Sequence, residues 1–217
     1  MKHIVRHLFL AFLAMAATTT SAQNNPYSKD YRTSSEAQTF GSFFVEYNPH
    51  TVHATTPYSS TNTTYQGFSI GFNYFLPVVS NLGIDAGLKG QYFFHKENIM
   101  GVKYKDYQVS ATVPVDLVLD LKLSDDLAID PFVGLYGRYN LIAKQTTESN
   151  GRRTSANLFE KSQTEEPMER FIWGWQAGVN LRVANTITIG AAYWRDLKDQ
   201  QDDVNLYGFD IRLGLLF

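Results

Sequence analysis

A chain of 217 residues with a net charge of −2 accommodates one or two domains and offers neither a basic field for nucleic acid nor an acidic tail. The absence of cysteine excludes disulfides, thiolate catalysis, thiolate metal sites and a lipid-modified N-terminal Cys. With 15 Phe, 13 Tyr and 15 Gly, and few Ala-Leu-Glu-Lys stretches, the composition favours strands over helices.

Segment 1–22 reads as a secretory signal peptide. Lys2, His3, Arg6 and His7 make a basic start, Leu8 to Ala17 an apolar core, and Thr20-Ser21-Ala22 a small-residue cleavage site before Gln23. The apolar run is too short for a spanning helix, which needs roughly 20 residues, and no later segment approaches that length. Membrane-spanning strands need only about 9–11 alternating residues, so they remain open. Residues 23–38 are polar and aperiodic, a flexible periplasmic lead-in.

From 39 to 217 the dominant signal is period-two alternation, which predicts eight strands. The first spans about 39–47, with Phe43, Val45 and Tyr47 against Ser42 and Glu46. The second, about 66–76, sets Phe68, Ile70, Phe72 and Tyr74 against Gly67, Ser69, Gly71 and Asn73. The third, about 82–94, sets Ile84, Ala86, Leu88 and Tyr92 against Asp85, Gly87, Lys89 and Gln91. The fourth, about 107–121, sets Val113, Val115 and Leu117 against Thr112 and Asp116. The fifth, about 127–141, sets Val133, Leu135 and Tyr139 against Asp130, Gly134 and Arg138. The sixth, about 170–183, sets Trp173, Trp175 and Val179 against Gly174, Gln176 and Arg182. The seventh spans about 186–194. The eighth, about 204–217, sets Tyr207, Phe209, Ile211, Leu213 and Leu215 against Gly208, Asp210, Arg212 and Gly214.

The connections alternate in length. Turns at 78–81, 124–126 and Ala184-Asn185 are short and carry Asn or Asp, which tolerate positive φ. The segments 48–64, 95–106, 142–169 and 197–203 are longer and polar, and read as loops. Short turns at one end and long loops at the other predict an all-β, eight-stranded antiparallel up-and-down transmembrane β-barrel. An even strand number puts both termini on the short-turn, periplasmic side.

Alternation alone does not say which face meets lipid, since a soluble lipocalin-like barrel would reverse it. Three features decide for lipid outside. The apolar face is too bulky for an eight-stranded interior. The opposite face is rich in Gly, which is useless on a wet strand surface but makes room in a narrow lumen. Tyr47, Tyr92, Tyr107, Tyr139, Phe171, Trp173, Tyr193 and Tyr207 form an aromatic girdle near the long-loop ends. Tyr65 sits at that level with the wrong parity, which suggests a bulge.

With this topology, and with a final strand from Tyr207 to Phe217 that ends on an aromatic, the chain resembles the small eight-stranded outer-membrane proteins. These include the OmpX type, the barrel portion of the OmpA type and the porin-family barrels of Bacteroidota; cleavage before Gln23 is also like many Bacteroidota signal peptides. Arg212 stands where the usual terminal pattern has Gly. The resemblance covers about 39–217. It implies a Gram-negative outer-membrane location amid lipid and lipopolysaccharide, and a terminal strand read by the barrel-assembly machinery.

By parity the inner face carries Glu46, Asp85, Asp116, Asp120, Asp130 and Asp210 against Lys89, Lys122, Arg138, Arg170, Arg182 and Arg212, joined by Phe93, Phe132 and Tyr136. The signs balance, which predicts a salt-bridged plug. His50, His53 and His95 fall in or beside outer loops and lack a Ser–acid arrangement at strand spacing, so they read as solvated polar residues. Asp125-Asp126 and Asp202-Asp203 read as turn and loop acids. No catalytic, cofactor-binding or metal residues are assigned. The expected protein is a non-enzymatic barrel with an occluded lumen and a structural or loop-mediated binding role. The charged segment 142–169 reads either as a surface for an extracellular or envelope partner or as simple shielding among lipopolysaccharide chains. The alternatives are a narrow or gated pore, an accessory subunit of an envelope or secretion complex, and a lipid-modifying enzyme.

Overall fold

The computed structural model describes residues 39–56, 59–79, 81–160, 167–201 and 204–217. The expected signal peptide 1–22, the lead-in 23–38 and the acids Asp202-Asp203 lie outside these residues, as does 161–166. Among the described residues eleven strands form: β1 (Phe40–Tyr47), β2 (His50–Thr56), β3 (Ser59–Val79), β4 (Leu82–Ile99), β5 (Val102–Leu119), β6 (Leu121–Ser124), β7 (Leu127–Ser149), β8 (Arg152–Asn157), β9 (Phe171–Val183), β10 (Ile187–Asp196) and β11 (Val204–Leu216).

Eight of them close a ring. The order is β1-β3-β4-β5-β7-β9-β10-β11, every neighbour is antiparallel, and β11 returns to β1 with Ser42 opposite Leu216 and Tyr47 opposite Ile211. Closure matters because an open edge would present unpaired backbone groups to lipid. The remaining three strands extend the ring. β2 continues β1 after a break at Asn48-Pro49 and keeps the same partners, β3 and β11. β6 continues β5 past Asp120, whose amide donates to Asn81 O at 2.8 Å. β8 folds back on the end of β7 far from the short turns.

The alternation has the expected sense. Phe43, Ile70, Leu117, Val133, Val179 and Leu213 are exposed on the outside, while Glu46, Lys89, Asp116 and Arg138 are buried within. The girdle residues all take outward parity, and five of them lie against one another or against the outward neighbours Phe68 and Trp175: Tyr47–Phe68 at 5.5 Å, Tyr92–Tyr107 at 6.4 Å, Trp175–Tyr193 at 5.5 Å and Tyr193–Tyr207 at 6.5 Å between centroids. An apolar wall around a charged interior is the arrangement of a barrel that crosses lipid.

Three expected loops are largely sheet. Segment 48–64 is mostly β2 and the first part of β3. Segment 95–106 is the tip of an uninterrupted β4–β5 hairpin. Much of 142–169 is the last part of β7 with β8. Met100-Gly101 (φ 51° and 82°) and Asn150-Gly151 (φ 50° and 75°) make the tips, with positive φ at both central residues, the geometry that matches strand twist. Beyond the girdle the β4–β5 hairpin continues for about 20 Å, since a strand rises about 3.3 Å per residue. At the other end Ala184-Asn185 turns in the same way, and the Ala184 amide donates to Asp126 O at 2.7 Å, tying two short turns together. Tyr65 is not at a bulge. The β3–β4 register runs unbroken from Gln66 to Pro77, and Tyr65 follows Gly67 and Ser69 in facing inward.

Candidate functional site in the lumen

The lumen fills in three levels from the short-turn end. At the lowest, Arg182 of β9 pairs with Asp120, between β5 and β6, and with Asp130 of β7, its Nε lying 2.7 Å from Asp130 Oδ2. Its guanidinium lies over the Phe40 ring at 4.5 Å, and Phe40 stacks on Phe75 at 4.9 Å. Phe75, Val118 and Phe132 complete an apolar layer beside the ion pairs.

The middle level is a four-charge cluster. Glu46 of β1 and Arg212 of β11 are cross-strand partners, and Arg212 Nη2 reaches Glu46 Oε1 at 2.7 Å. Lys89 of β4 donates to Glu46 at 3.0 Å and to Asp210 at 2.7 Å. Asn48 and Trp194 also donate to Asp210 Oδ1, at 2.6 and 2.9 Å. Two acids against two bases make the cluster formally neutral, and the extra donors occupy further carboxylate lone pairs. That is the condition under which burying charge is tolerable. Asp85 and Asp116 stand opposite one another on β4 and β5. Amides hold them in place of bases: Asn73 donates to Asp85, and Gln176 to both Asp116 oxygens at 2.9 and 2.8 Å.

At the upper level Arg138 of β7 pairs with Asp196 of β10, and the Tyr136 hydroxyl donates to the same carboxylate at 2.5 Å. Arg138 lies 5.4 Å from the Trp194 ring centre. His50 packs among Phe93, Trp194 and Tyr65 at 4.4, 5.8 and 5.4 Å. Ile172, the register partner of Arg138, and Leu206, packed with Tyr136 and Trp194, are fully buried, and Gln108 donates to Asn140 at 2.6 Å.

Glycine supplies the space at two of these points. A Cβ on Gly134 would collide with Asp116 Oδ1 and the Val115 carbonyl. One on Gly174 would collide with the Tyr136 phenol and the Arg195 carbonyl. Both side chains therefore lie flat across a neighbouring strand that has no side chain of its own there.

The parity reading places Glu46, Asp85, Asp116, Asp120, Asp130, Asp210, Lys89, Arg138, Arg182 and Arg212 inside, as found. Phe93, Phe132 and Tyr136 are inside as well. It fails for Lys122 and Arg170, which are exposed. The break at Asp120 ends the alternation before Lys122, and Arg170 lies before β9, over the Phe159 ring at 4.0 Å. Asp196 was missed, although it keeps the parity of Ala192 and Trp194 two residues beyond the expected end of its strand. Without Lys122 and Arg170, and with Asp196, the buried interior holds seven acids and four bases among the described residues, so its signs do not balance. His50 is 3% exposed rather than solvated. His53 bonds Asn62 Oδ1 at 2.6 Å, and His95 bonds Thr64 O at 2.9 Å. Among the described residues no three His, Cys, Asp or Glu side chains are grouped so as to hold a metal ion.

No family model and no curated protein matches the sequence. Solved structures do. Ail, the attachment invasion locus protein of Yersinia pestis, in complex with the heparin analogue sucrose octasulfate, has a TM-score of 0.50 at 14% identity, over 83% of this chain and 100% of that one. Neisserial surface protein A (NspA) has 0.44 at 14%, over 80% and 95%. The outer membrane enzyme PagL has 0.42 at 12%, over 77% and 97%. The likeness to the Yersinia pestis protein, added to the closed ring and the inverted polarity of its walls, gives this chain the fold of the small eight-stranded outer-membrane β-barrels.

Proposed function

We propose that this protein is a non-enzymatic integral barrel of a Gram-negative outer membrane, with an occluded lumen and a binding role carried by its outer hairpins. On this reading 1–22 is a cleaved signal peptide, 23–38 a periplasmic lead-in, and both termini are periplasmic. The strand Val204–Leu216 and Phe217 are what the barrel-assembly machinery reads during insertion. The outer hairpins stand among lipopolysaccharide, and 142–169 is the surface offered to an extracellular or envelope protein partner. Nucleic acid is not a partner.

The observation that carries the reading is that buried ion pairs bridge the lumen at each of its three levels. Arg182 at the lowest level, Lys89 and Arg212 in the middle and Arg138 above each hold a buried carboxylate, in a barrel whose interior is about filled by ordinary side chains. Water-filled porins use about 16–18 strands. A second reading, a narrow or gated pore, draws on the acid excess and on Asp85 Oδ1, Ser110 Oγ and Asp120 Oδ2, buried atoms without a hydrogen-bond partner. Planar-bilayer recording separates the two. The occluded barrel gives no steady conductance, whereas a large stable conductance with solute uptake by liposomes makes it a pore. Recovery of a partner from native outer membranes by wild type, and its loss when residues 144–157 are replaced by a short turn, tests the binding role.

A further inference from the structure

The β4–β5–β7–β8 projection beyond the girdle is electrostatically two-sided. Register places Lys96 opposite Lys105, Lys103 opposite Glu148, Glu148 opposite Arg153, and Lys144 opposite Tyr107. All of these share the outward face, the upward continuation of the lipid-facing wall. Glu97 and Asp106 take the other face. Asp106 accepts from the lumen-facing Tyr65 at 3.1 Å, and Glu97 lies 3.6 Å from His95.

The outward face thus holds five bases and one acid, all in one patch. Glu148 is shared between Lys103 at 3.3 Å and Lys105 at 3.9 Å. Among the described residues, no acid lies within ion-pair distance of Lys96, Lys144 or Arg153. Like charges directly opposite on neighbouring strands destabilise the pair unless an anion lies between them. Lys96 and Lys105 are such a pair. Each is two residues beyond an aromatic of the outer wall, Phe94 and Tyr107, so their ammonium groups stand immediately above the level where lipid chains end.

We infer that this face is a binding site for the phosphate groups of the phosphorylated glycolipid packed against the barrel in the outer leaflet. The inference rests on the outward placement of the long hairpins proposed above. Lipid is the source because the face is continuous with the wall that lipid already covers. The three bases without an acid partner among the described residues, Lys96, Lys144 and Arg153, are matched by the paired phosphates of lipid A.

The test uses the purified full-length barrel in neutral detergent, with bound lipid counted by native mass spectrometry. The probes are bis-phosphorylated lipid A and lipid A stripped of phosphate. The expected result is about tenfold or greater preference for the phosphorylated form, given roughly 1 kcal/mol per Lys at an anionic surface. Added salt should weaken that form alone. The triple variant Lys96→Gln, Lys105→Gln, Lys144→Gln should lose the preference. Arg195→Gln, on the outward face of β10, should keep it. Equal retention of the two lipids by wild type overturns the site whether or not the triple variant folds. An unchanged preference in a folded triple variant does the same. Displacement of lipid A by inorganic phosphate would make this a site for free anions instead. Conductance and loop labelling report on the parent reading, and neither depends on the lipid count.

Discussion

Arg138 and Asp196 meet across the lumen from β7 and β10, with β9 between them, as an ion pair from which solvent is excluded on both sides. Tyr136 closes the carboxylate from a third direction. Among the described residues no other acid forms an ion pair with Arg138. Asp196→Asn should therefore destabilise the barrel by about 3–5 kcal/mol, the range for stranding one member of a buried pair. Tyr136→Phe removes only one hydrogen bond and should cost about 1–2 kcal/mol. Replacing the pair together by Arg138→Met and Asp196→Leu should recover most of the loss. Urea unfolding in lipid vesicles measures all of these variants.

The outer wall makes a contrasting prediction. Leu117 and Val179 are outward and half-exposed. Leu117→Arg or Val179→Arg should cost about 2–4 kcal/mol near the bilayer midplane. Thr112→Arg acts on the inner face, where Thr112 bonds Gln91, and fails through crowding instead. The two mechanisms separate by membrane thickness, since only the lipid-face variants should respond to a thinner bilayer. If Leu117→Arg folds into vesicles like wild type, the assignment of faces is reversed.

Glycine substitutions test the close approaches. Gly134→Ala drives a methyl into the Val115 carbonyl and Asp116, neither of which can retreat, and should cost about 1–3 kcal/mol. Gly90 lies outward, with Ile70 O the nearest atom at 4.0 Å. Gly90→Ala should stay within about 0.5 kcal/mol of wild type.

Orientation can be read by labelling, because the chain has no cysteine to confuse the result. Asn150→Cys at the β7–β8 tip should react with an impermeant maleimide on intact cells. Asp125→Cys, in a short turn, should react only after the membrane is permeabilised. The reverse pattern would invert the topology.

Strand positions and lumen charges were legible wherever one face meets lipid and the other the lumen, because that contrast writes itself into the sequence at period two. The outer hairpins were not legible in the same way. The stretch from His50 to Tyr65 is mainly Thr, Ser and Asn on both parities, so its strands leave no apolar stripe. The missed cues there are local. Asn150-Gly151 is a strong turn signal inside the segment read as a loop, and Thr-rich runs favour extended backbone. Breaks misled the reading in a different manner. Pro49 interrupts β1, so His50 seemed to begin a loop when it re-enters the ring as β2 with its ring turned inward. Leu141 is an extra residue between Asn140 and Ile142, opposite the step from Ser110 to Val109, and there two successive residues face outward. Such irregularities depend on tertiary register, which alternation does not encode.

The seam where β1 meets β11 joins the earliest and latest strands of the barrel. Its charged contacts are among the most distant in the chain: Glu46 with Arg212 at a separation of 166 residues, Asn48 with Asp210 at 162. Contacts of that range form late, because the whole intervening loop must first be closed. Until then Glu46 and Lys89 line the concave side of an open sheet without Arg212 and Asp210. A chain interrupted before its last strand would carry stranded charges and two bare edges, and could not rest in lipid. Neutralising the interior and shutting the wall are thus one event, and the final dozen residues act as its latch.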